Sequence, residues 1–197
     1  GSLTVTGDIT IPQTITSGQN NLDVGAGNLV ADNIMFTTGS PGGTGHRMTI
    51  STGTATINGD VTGTGTSSLI IFSGAGLLQV GESFYTSADG TLTTVAGSTV
   101  EYNGTDQIIE SHTTYRNLTL SGSGNKTLST STNTTIGGNL TVGDNTTFLI
   151  GASTLAVTGS TTVGGGSSGT LSITSATGTK TFTGLVTVAA GGTWTNS

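Results

Sequence analysis

The chain of 197 residues contains 34 Gly, and only 7% of its residues are charged. Its formal net charge is −6 with four Lys and Arg in total, which argues against nucleic acid or an anionic membrane as a partner, because clustered cations hold both. The absence of Cys excludes disulfides and thiolate metal sites.

Short runs in which one polar or small residue lies between two apolar residues recur along the chain. They begin at Leu3, Ile9, Leu22, Leu78, Val100, Leu118, Leu140, Leu155, Leu171 and Val186. This period of two predicts short strands with one buried face. From residue 78 onward the runs start 15 to 22 residues apart, and a repeat of about 20 residues predicts a solenoid whose coils bury their apolar faces against each other.

We therefore predict an all-β chain, a parallel β-solenoid (β-helix) with irregular coils of about 15–22 residues and almost no helix. Thr is polar and β-branched, which suits a strand face open to water, and Gly allows sharp turns between short strands. No segment has apolar residues at helical spacing.

The chain has two zones that differ in the regularity of their strand pattern, and we expect them to form one continuous domain. Residues 1–77 predict irregular N-terminal β coils, and the Gly and Pro density of residues 37–47 predicts a surface loop there. Residues 78–197 predict more regular coils separated by Gly and Asn turns.

The period of two also predicts which side chains of the regular coils fill the interior. The inward set is Leu118, Leu120, Ile136, Leu140, Val142, Phe148, Leu155, Val157, Leu171, Ile173, Val186 and Val188. The residues between them, such as Thr119, Thr141 and Thr187, should face solvent.

Three stretches carry a resemblance to a known class of proteins: residues 99–107, 114–128 and 135–142. Together with residues 72–84, they resemble the repeats of large secreted bacterial β-solenoid proteins of the adhesin and autotransporter-passenger type. The resemblance implies a solenoid and an extracellular or cell-surface location in bacteria. It supplies no catalytic residue.

Acid, base and metal-ligating residues are sparse. One coil length contains Glu101, Asp106, Glu110, His112 and Arg116. Carboxylates near a His are the minimum for acid–base chemistry or a metal, but isolated surface charges are usually solvated. We interpret these residues, and His46 in the Gly-rich segment, as solvated turn residues, and we predict that the chain is not an enzyme.

Calcium is the ion that the oxygen ligands favour. Carboxylates occur in predicted turns at Asp8, Asp23, Asp60, Asp89 and Asp144. Neither an EF-hand loop nor the calcium-binding nonapeptide repeat is present, however. We predict no cofactor, with calcium as the alternative.

The terminal segments suggest self-association. Strong strand formers lie at the N-terminal end, and a Trp lies near the C-terminal end; the candidate residues are Leu3, Val5, Ile9, Ile11 and Trp194. An exposed strand edge can add a strand from another chain. We predict a structural unit of an extracellular bacterial filament or adhesin stalk, whose partners are copies of itself or neighbouring repeats, end to end.

A binding module is the alternative function. Thr-x-Thr runs could align on one flat face that matches ice or a polysaccharide, including surface glycans. We expect the variable coil length to shift the Thr columns between coils, which disfavours such a face. A polysaccharide-cleaving enzyme is disfavoured because four Lys and Arg leave little for a catalytic groove.

Overall fold

The computed structural model describes residues 1–12, 19–37, 45–112, 115–130 and 133–197. Within these ranges the regular structure is all β-strand, and the strands pair in parallel as a β-solenoid of about eight turns. This confirms the predicted fold class. Most of the predicted Gly-rich loop, residues 38–44, lies outside the described residues.

The chain divides into two compact units, Gly1–Ser98 and Thr99–Ser197. The strands of the first unit are β1 (Ser2–Thr4), β2 (Ile9–Pro12), β3 (Asn20–Gly25), β4 (Asn28–Ala31), β5 (Ile34–Thr37), β6 (His46–Ile50), β7 (Thr54–Ile57), β8 (Val61–Thr62), β9 (Ser68–Phe72), β10 (Leu77–Val80) and β11 (Thr91–Thr93). They form three columns of parallel strands, β1-β4-β7-β10, β2-β5-β8 and β3-β6-β9-β11.

The second unit repeats the same arrangement. Its strands are β12 (Thr99–Tyr102), β13 (Gln107–Ile109), β14 (Asn117–Leu120), β15 (Gly124–Leu128), β16 (Thr134–Ile136), β17 (Leu140–Val142), β18 (Thr146–Ile150), β19 (Leu155–Val157), β20 (Thr161–Val163), β21 (Thr170–Ile173), β22 (Lys180–Phe182), β23 (Val186–Val188) and β24 (Thr193–Asn196). The columns are β12-β14-β17-β20-β23, β13-β15-β18-β21-β24 and β16-β19-β22. Most described turns therefore contribute one strand to each of three columns, and in the turns that begin with β10 and β12 an isolated bridge at Phe84 or Tyr115 replaces one strand.

Turn length varies more than the sequence pattern predicts. The turn that leads from Leu3 to its partner Leu29 is longer than the turn that leads from Val100 to its partner Leu118. The spacing of successive runs underestimates the longer turns, because the runs that begin β17, β19 and β21 lie in three different columns. The connections between strands absorb the differences in length, so the strands themselves stay aligned.

The interior of the second unit follows the predicted alternation, with one correction. All the predicted inward residues are buried except Val186 and Val188, which are 39% and 46% exposed. Both lie on β23, the outermost strand of its column, and no described turn covers them. Thr119 and Thr141 are partly exposed and Thr187 is exposed, as predicted.

Asn side chains link successive turns at their corners. In the second unit, Asn117 Oδ1 accepts a hydrogen bond from the backbone N–H of Asn139 at 2.9 Å, and Asn139 Oδ1 accepts one from the backbone N–H of Ser160 at 2.9 Å. In the first unit, Asn33 Oδ1 accepts from the N–H of Asp60 at 2.7 Å. Each contact satisfies a corner N–H that lies between two strands.

At each corner a glycine precedes the residue whose N–H is bound, because the Asn side chain from the previous turn passes close to the Cα of that glycine. A Cβ at Gly138 would collide with Asn117 Oδ1, and a Cβ at Gly59 would collide with Asn33 Oδ1. The pairs Gly59-Asp60, Gly138-Asn139 and Gly159-Ser160 therefore mark the same kind of corner in different turns.

One inward position of the described chain carries a buried hydroxyl that lacks a hydrogen bond. Thr161 lies in the interior column between Leu140 and Val186, and it is fully buried. Its Oγ1 atom has no hydrogen-bond partner among the described residues. A buried hydroxyl without a hydrogen bond destabilises the folded state.

The variant Thr161→Val should therefore be more stable than the wild type, by about 1 kcal/mol or more, because Val has the same shape without the buried hydroxyl. Urea unfolding followed by circular dichroism measures the difference. The control is Thr162→Val on the outward face of the same strand, which should change stability by less than about 0.5 kcal/mol. An unchanged or lower unfolding midpoint for Thr161→Val would contradict the cost assigned to the hydroxyl.

Candidate functional site

The first strand of each column in the first unit has one edge without a strand partner in the described residues. We call this the N-edge surface and define it by the inward residues of β1, β2 and β3 and of the β1–β2 connection: Leu3, Val5, Ile9, Leu22 and Val24. Leu3 aligns with buried Leu29, and Ile9 aligns with buried Ile34. The N-edge surface is thus the open end of the apolar interior.

Exposure differs among the predicted residues at this end. Leu3 is 53% exposed, Val5 and Ile9 are half-buried, and Ile11 is buried. Leu3, Val5 and Ile9 are therefore at least partly exposed, whereas Ile11 belongs to the interior.

An open hollow of about 350 Å³ lies beside β1. Its apolar lining consists of Leu3, Leu22, Val24 and Leu29, and Asp23 contributes a carboxylate. The hollow gives the N-edge surface a concave apolar part.

The last strands of the columns in the second unit form the C-edge surface, which we define by Phe182, Leu185, Val186, Val188 and Trp194. Leu185 is 74% exposed and directly precedes β23. The Trp194 and Phe182 rings pack edge to face with centroids 4.9 Å apart, and both are partly exposed. Of these residues the sequence singled out only Trp194 for self-association.

Thr side chains on the outward face of the second unit form a column. The pairing register aligns Thr119 with Thr141, Thr141 with Thr162, and Thr162 with Thr187. The Thr-x-Thr runs do not stack as a column, as expected: Thr4 aligns with Val30, and Thr56 aligns with Gln79. The aligned Thr residues of the second unit lie outside those runs, and the connections absorb the differences in turn length. Neighbouring strands in a sheet lie about 4.8 Å apart, which sets the spacing of the hydroxyls.

A second Thr column lies on the neighbouring strands of the same unit. Thr147 on β18 aligns with Thr170 on β21, and Thr170 aligns with Thr193 on β24. All three residues are partly or fully exposed. The unit thus presents outward hydroxyls at regular intervals on two of its three faces.

The carboxylates of the candidate acid–base group bind neighbouring turns. Glu101 accepts a hydrogen bond from Ser121 Oγ at 2.5 Å, and Asp106 Oδ1 accepts one from the backbone N–H of Asn125 at 2.7 Å. Arg116 is exposed. Within the described ranges, no three His, Cys, Asp or Glu side chains come together as a metal site.

The two His side chains are buried, so their interpretation as solvated residues is wrong. The His112 ring packs edge to face against Tyr115. His46 begins β6, where the strand alternation turns its side chain inward; its ring stacks on Phe36 at 5.3 Å, and its Nε2 atom lies 2.9 Å from Ser68 Oγ. Burial lowers the pKa of His46, so the neutral imidazole is favoured.

The Asp144 carboxylate, considered for calcium, holds a turn together. Its Oδ1 atom accepts hydrogen bonds from the backbone N–H groups of Gly165 at 2.8 Å, Ser168 at 3.1 Å and Ser167 at 3.3 Å. These donors, Gly165 first, lower the pKa of Asp144. The carboxylate oxygen is therefore used by the next turn of the same chain.

Lys126 is a buried cation that the sequence pattern did not single out. Its Nζ donates to the carbonyl of Gly104 at 2.7 Å, to Gln107 Oε1 at 2.8 Å, and to the carbonyls of Thr105 and Ser123. The residue is fully buried on an inward position of β15. Counting back by two from the apolar Leu128 would have identified Lys126 as an inward residue.

Burial lowers the pKa of Lys126 to about 8, and the nearby Asp106 carboxylate acts in the opposite direction. The folded pKa is thus below the value of about 10.4 for an unfolded Lys, so folding favours the neutral amine. The contribution of Lys126 to stability therefore rises as the pH increases from about 8 to about 10.4, and it is constant below that window. Burial raises the pKa of Tyr102. Its contribution to stability therefore falls as the pH increases, but only above its unfolded pKa of about 10.

We therefore expect the free energy of unfolding to rise between pH 8 and pH 9.5 in the wild type and to rise less in Lys126→Met. At pH 7 the variant should lose about 1–3 kcal/mol, because the Gly104 and Thr105 carbonyls lose their donor. Urea unfolding at several pH values measures both effects. Lys180→Met, which removes a less buried cation, is the control and should retain the rise; an equal rise in Lys126→Met would show that another group titrates.

No helix in the described residues is long and apolar enough to cross a membrane. Comparison of the chain with protein-family models, with curated proteins and with solved structures gives no match.

Proposed function

We propose that the chain is a structural, self-associating β-solenoid unit of an extracellular bacterial filament or adhesin stalk. The observation that carries the proposal is the exposure of inward apolar side chains on both edge surfaces. Leu3 is 53% exposed on the N-edge surface, and the inward Val186 and Val188 are 39% and 46% exposed on the C-edge surface. In the interior turns, inward apolar side chains such as Leu118 and Leu140 are buried by the turns on either side.

The energetics favour association through several side chains together. Burying one Val or Leu side chain fully contributes about 1.5–3 kcal/mol, whereas bringing two molecules together costs about 4–15 kcal/mol. The hydrogen bonds of three strand edges and the burial of the exposed Leu185, Val186 and Val188 can together exceed that cost. The burial of a single side chain cannot. Association should therefore require the whole edge.

The extracellular, bacterial location is supported by the resemblance of residues 99–107, 114–128 and 135–142 to repeats of secreted solenoid proteins. The partners are copies of the chain or neighbouring repeats that meet it end to end. The proposed role is mechanical spacing, and it assigns no catalytic residue.

The double variant Val186→Lys, Val188→Lys tests the proposal. Two ammonium groups in the apolar contact would have to be buried without partners, which is strongly unfavourable. We expect concentration-dependent assembly of the wild type in sedimentation velocity and regular filaments in electron micrographs, and we expect monomers for the variant.

Thr187→Lys is the matched control, because it places a charge on the opposite face of the same strand. It should assemble like the wild type. A wild type that stays monomeric at every concentration would overturn the proposed self-association.

The aligned Thr columns favour a second candidate, a flat face that binds ice or a polysaccharide. Thr119, Thr141 and Thr162 occupy equivalent positions on three neighbouring strands, so their hydroxyls repeat at about 4.8 Å. A regular array of hydroxyls can hydrogen-bond a ligand that has its own regular repeat.

If this face binds such a ligand, Thr141→Lys should reduce binding at least tenfold, because a long cation interrupts the middle of the column. Sedimentation with crystalline polysaccharide and the inhibition of ice growth are the two measurements. Thr135→Lys, on a different strand column, is the control and should bind like the wild type. Absence of binding by the wild type in both assays would reject this candidate.

A further inference from the structure

We infer that the assembly is polar: the C-edge surface of one copy binds the N-edge surface of the next copy, and like surfaces do not pair. This inference rests on the proposed self-association and adds its direction. It follows from strand direction, from the position of the inward side chains and from charge.

Strand direction is the first argument. Every described strand pair within the two units is parallel, including β1 with β4 and β20 with β23. A C-edge strand that pairs with an N-edge strand in the same direction continues this arrangement. Two identical edges related by a two-fold axis would have to pair antiparallel, unlike every described strand pair within the units.

The inward side chains also match when β23 lies over β1. Leu3 and Val5 are two residues apart on one edge, and Val186 and Val188 are two residues apart on the other. Parallel pairing of Val186 with Leu3 would continue both interior columns with apolar residues. It would also bring Val186 to the hollow that Leu3 lines.

Charge is the third argument. The only charged side chains of residues 1–27 are Asp8 and Asp23, and both are exposed. The only charged side chain of residues 174–197 is Lys180, whose Nζ donates to the Gly178 carbonyl at 3.0 Å. Two N-edge surfaces would both be negatively charged, whereas unlike surfaces carry opposite charges.

A contact between two different surfaces has a specific consequence for growth. After each association, the complex still has one free N-edge surface and one free C-edge surface. Such a heterologous contact adds copies without limit unless a ring closes. Pairing of like surfaces would give dimers or alternating orientations instead.

A mixing experiment with two blocked variants tests the direction. The N-blocked variant carries Leu3→Lys and Val5→Lys, and the C-blocked variant carries Val186→Lys and Val188→Lys. Each variant alone should be monomeric by light scattering after gel filtration, because every contact needs one intact surface of each kind. An equimolar mixture should form heterodimers that grow no further.

Thr4→Lys and Thr187→Lys, on the outward faces of the same strands, are the controls and should assemble like the wild type. If the N-blocked variant loses its β-sheet circular dichroism, the single variant Leu3→Gln replaces it, because Leu3 is already half exposed.

Two results would overturn the direction while the self-association stands: dimers of each blocked variant alone, or a mixture that stays monomeric although the wild type assembles. A wild type that never assembles would instead reject the proposed function itself. The three outcomes are separated by the mass of the species in each sample.

Discussion

Each turn of this chain can bury its apolar side chains only against the turns on either side, and the rest of the structure depends on that constraint. A turn contributes one or two inward residues per strand, such as Leu140 and Val142, which is too little for a core of its own. Stability is therefore shared between neighbours. The same constraint leaves Leu3 and Val186 exposed where no described turn lies beyond them.

Polar contacts between turns hold the register that this stacking requires. The Asn117 and Asn139 side chains bind the corner of the following turn, and the Lys126 ammonium binds the carbonyls of a preceding corner. These groups act along the stack, in the same direction as the hydrogen bonds between strands. The chain thus satisfies many of its buried polar atoms with very few charged residues, and Thr161 Oγ1 is an exception among the described residues.

The fold class and most inward positions could be predicted from the sequence, because a period of two in short Thr-rich runs is typical of strands and of little else. The assignment of runs to columns could not, since Leu140 and Leu155 look alike locally although they lie on different faces. Residue type alone predicts solvent exposure for His46 and His112, whereas both side chains are buried. The exposure of Val186 also cannot be predicted from the local sequence, because it depends on whether a further turn covers the strand.

The variable turn length has a consequence for engineering. Since the turn from Leu3 to Leu29 holds more residues than the turn from Val100 to Leu118, the connections tolerate additional chain without disturbing the paired strands. Peptides inserted at equivalent connections of successive turns would be displayed at multiples of the strand spacing, which makes the solenoid a molecular ruler with a step of about 4.8 Å.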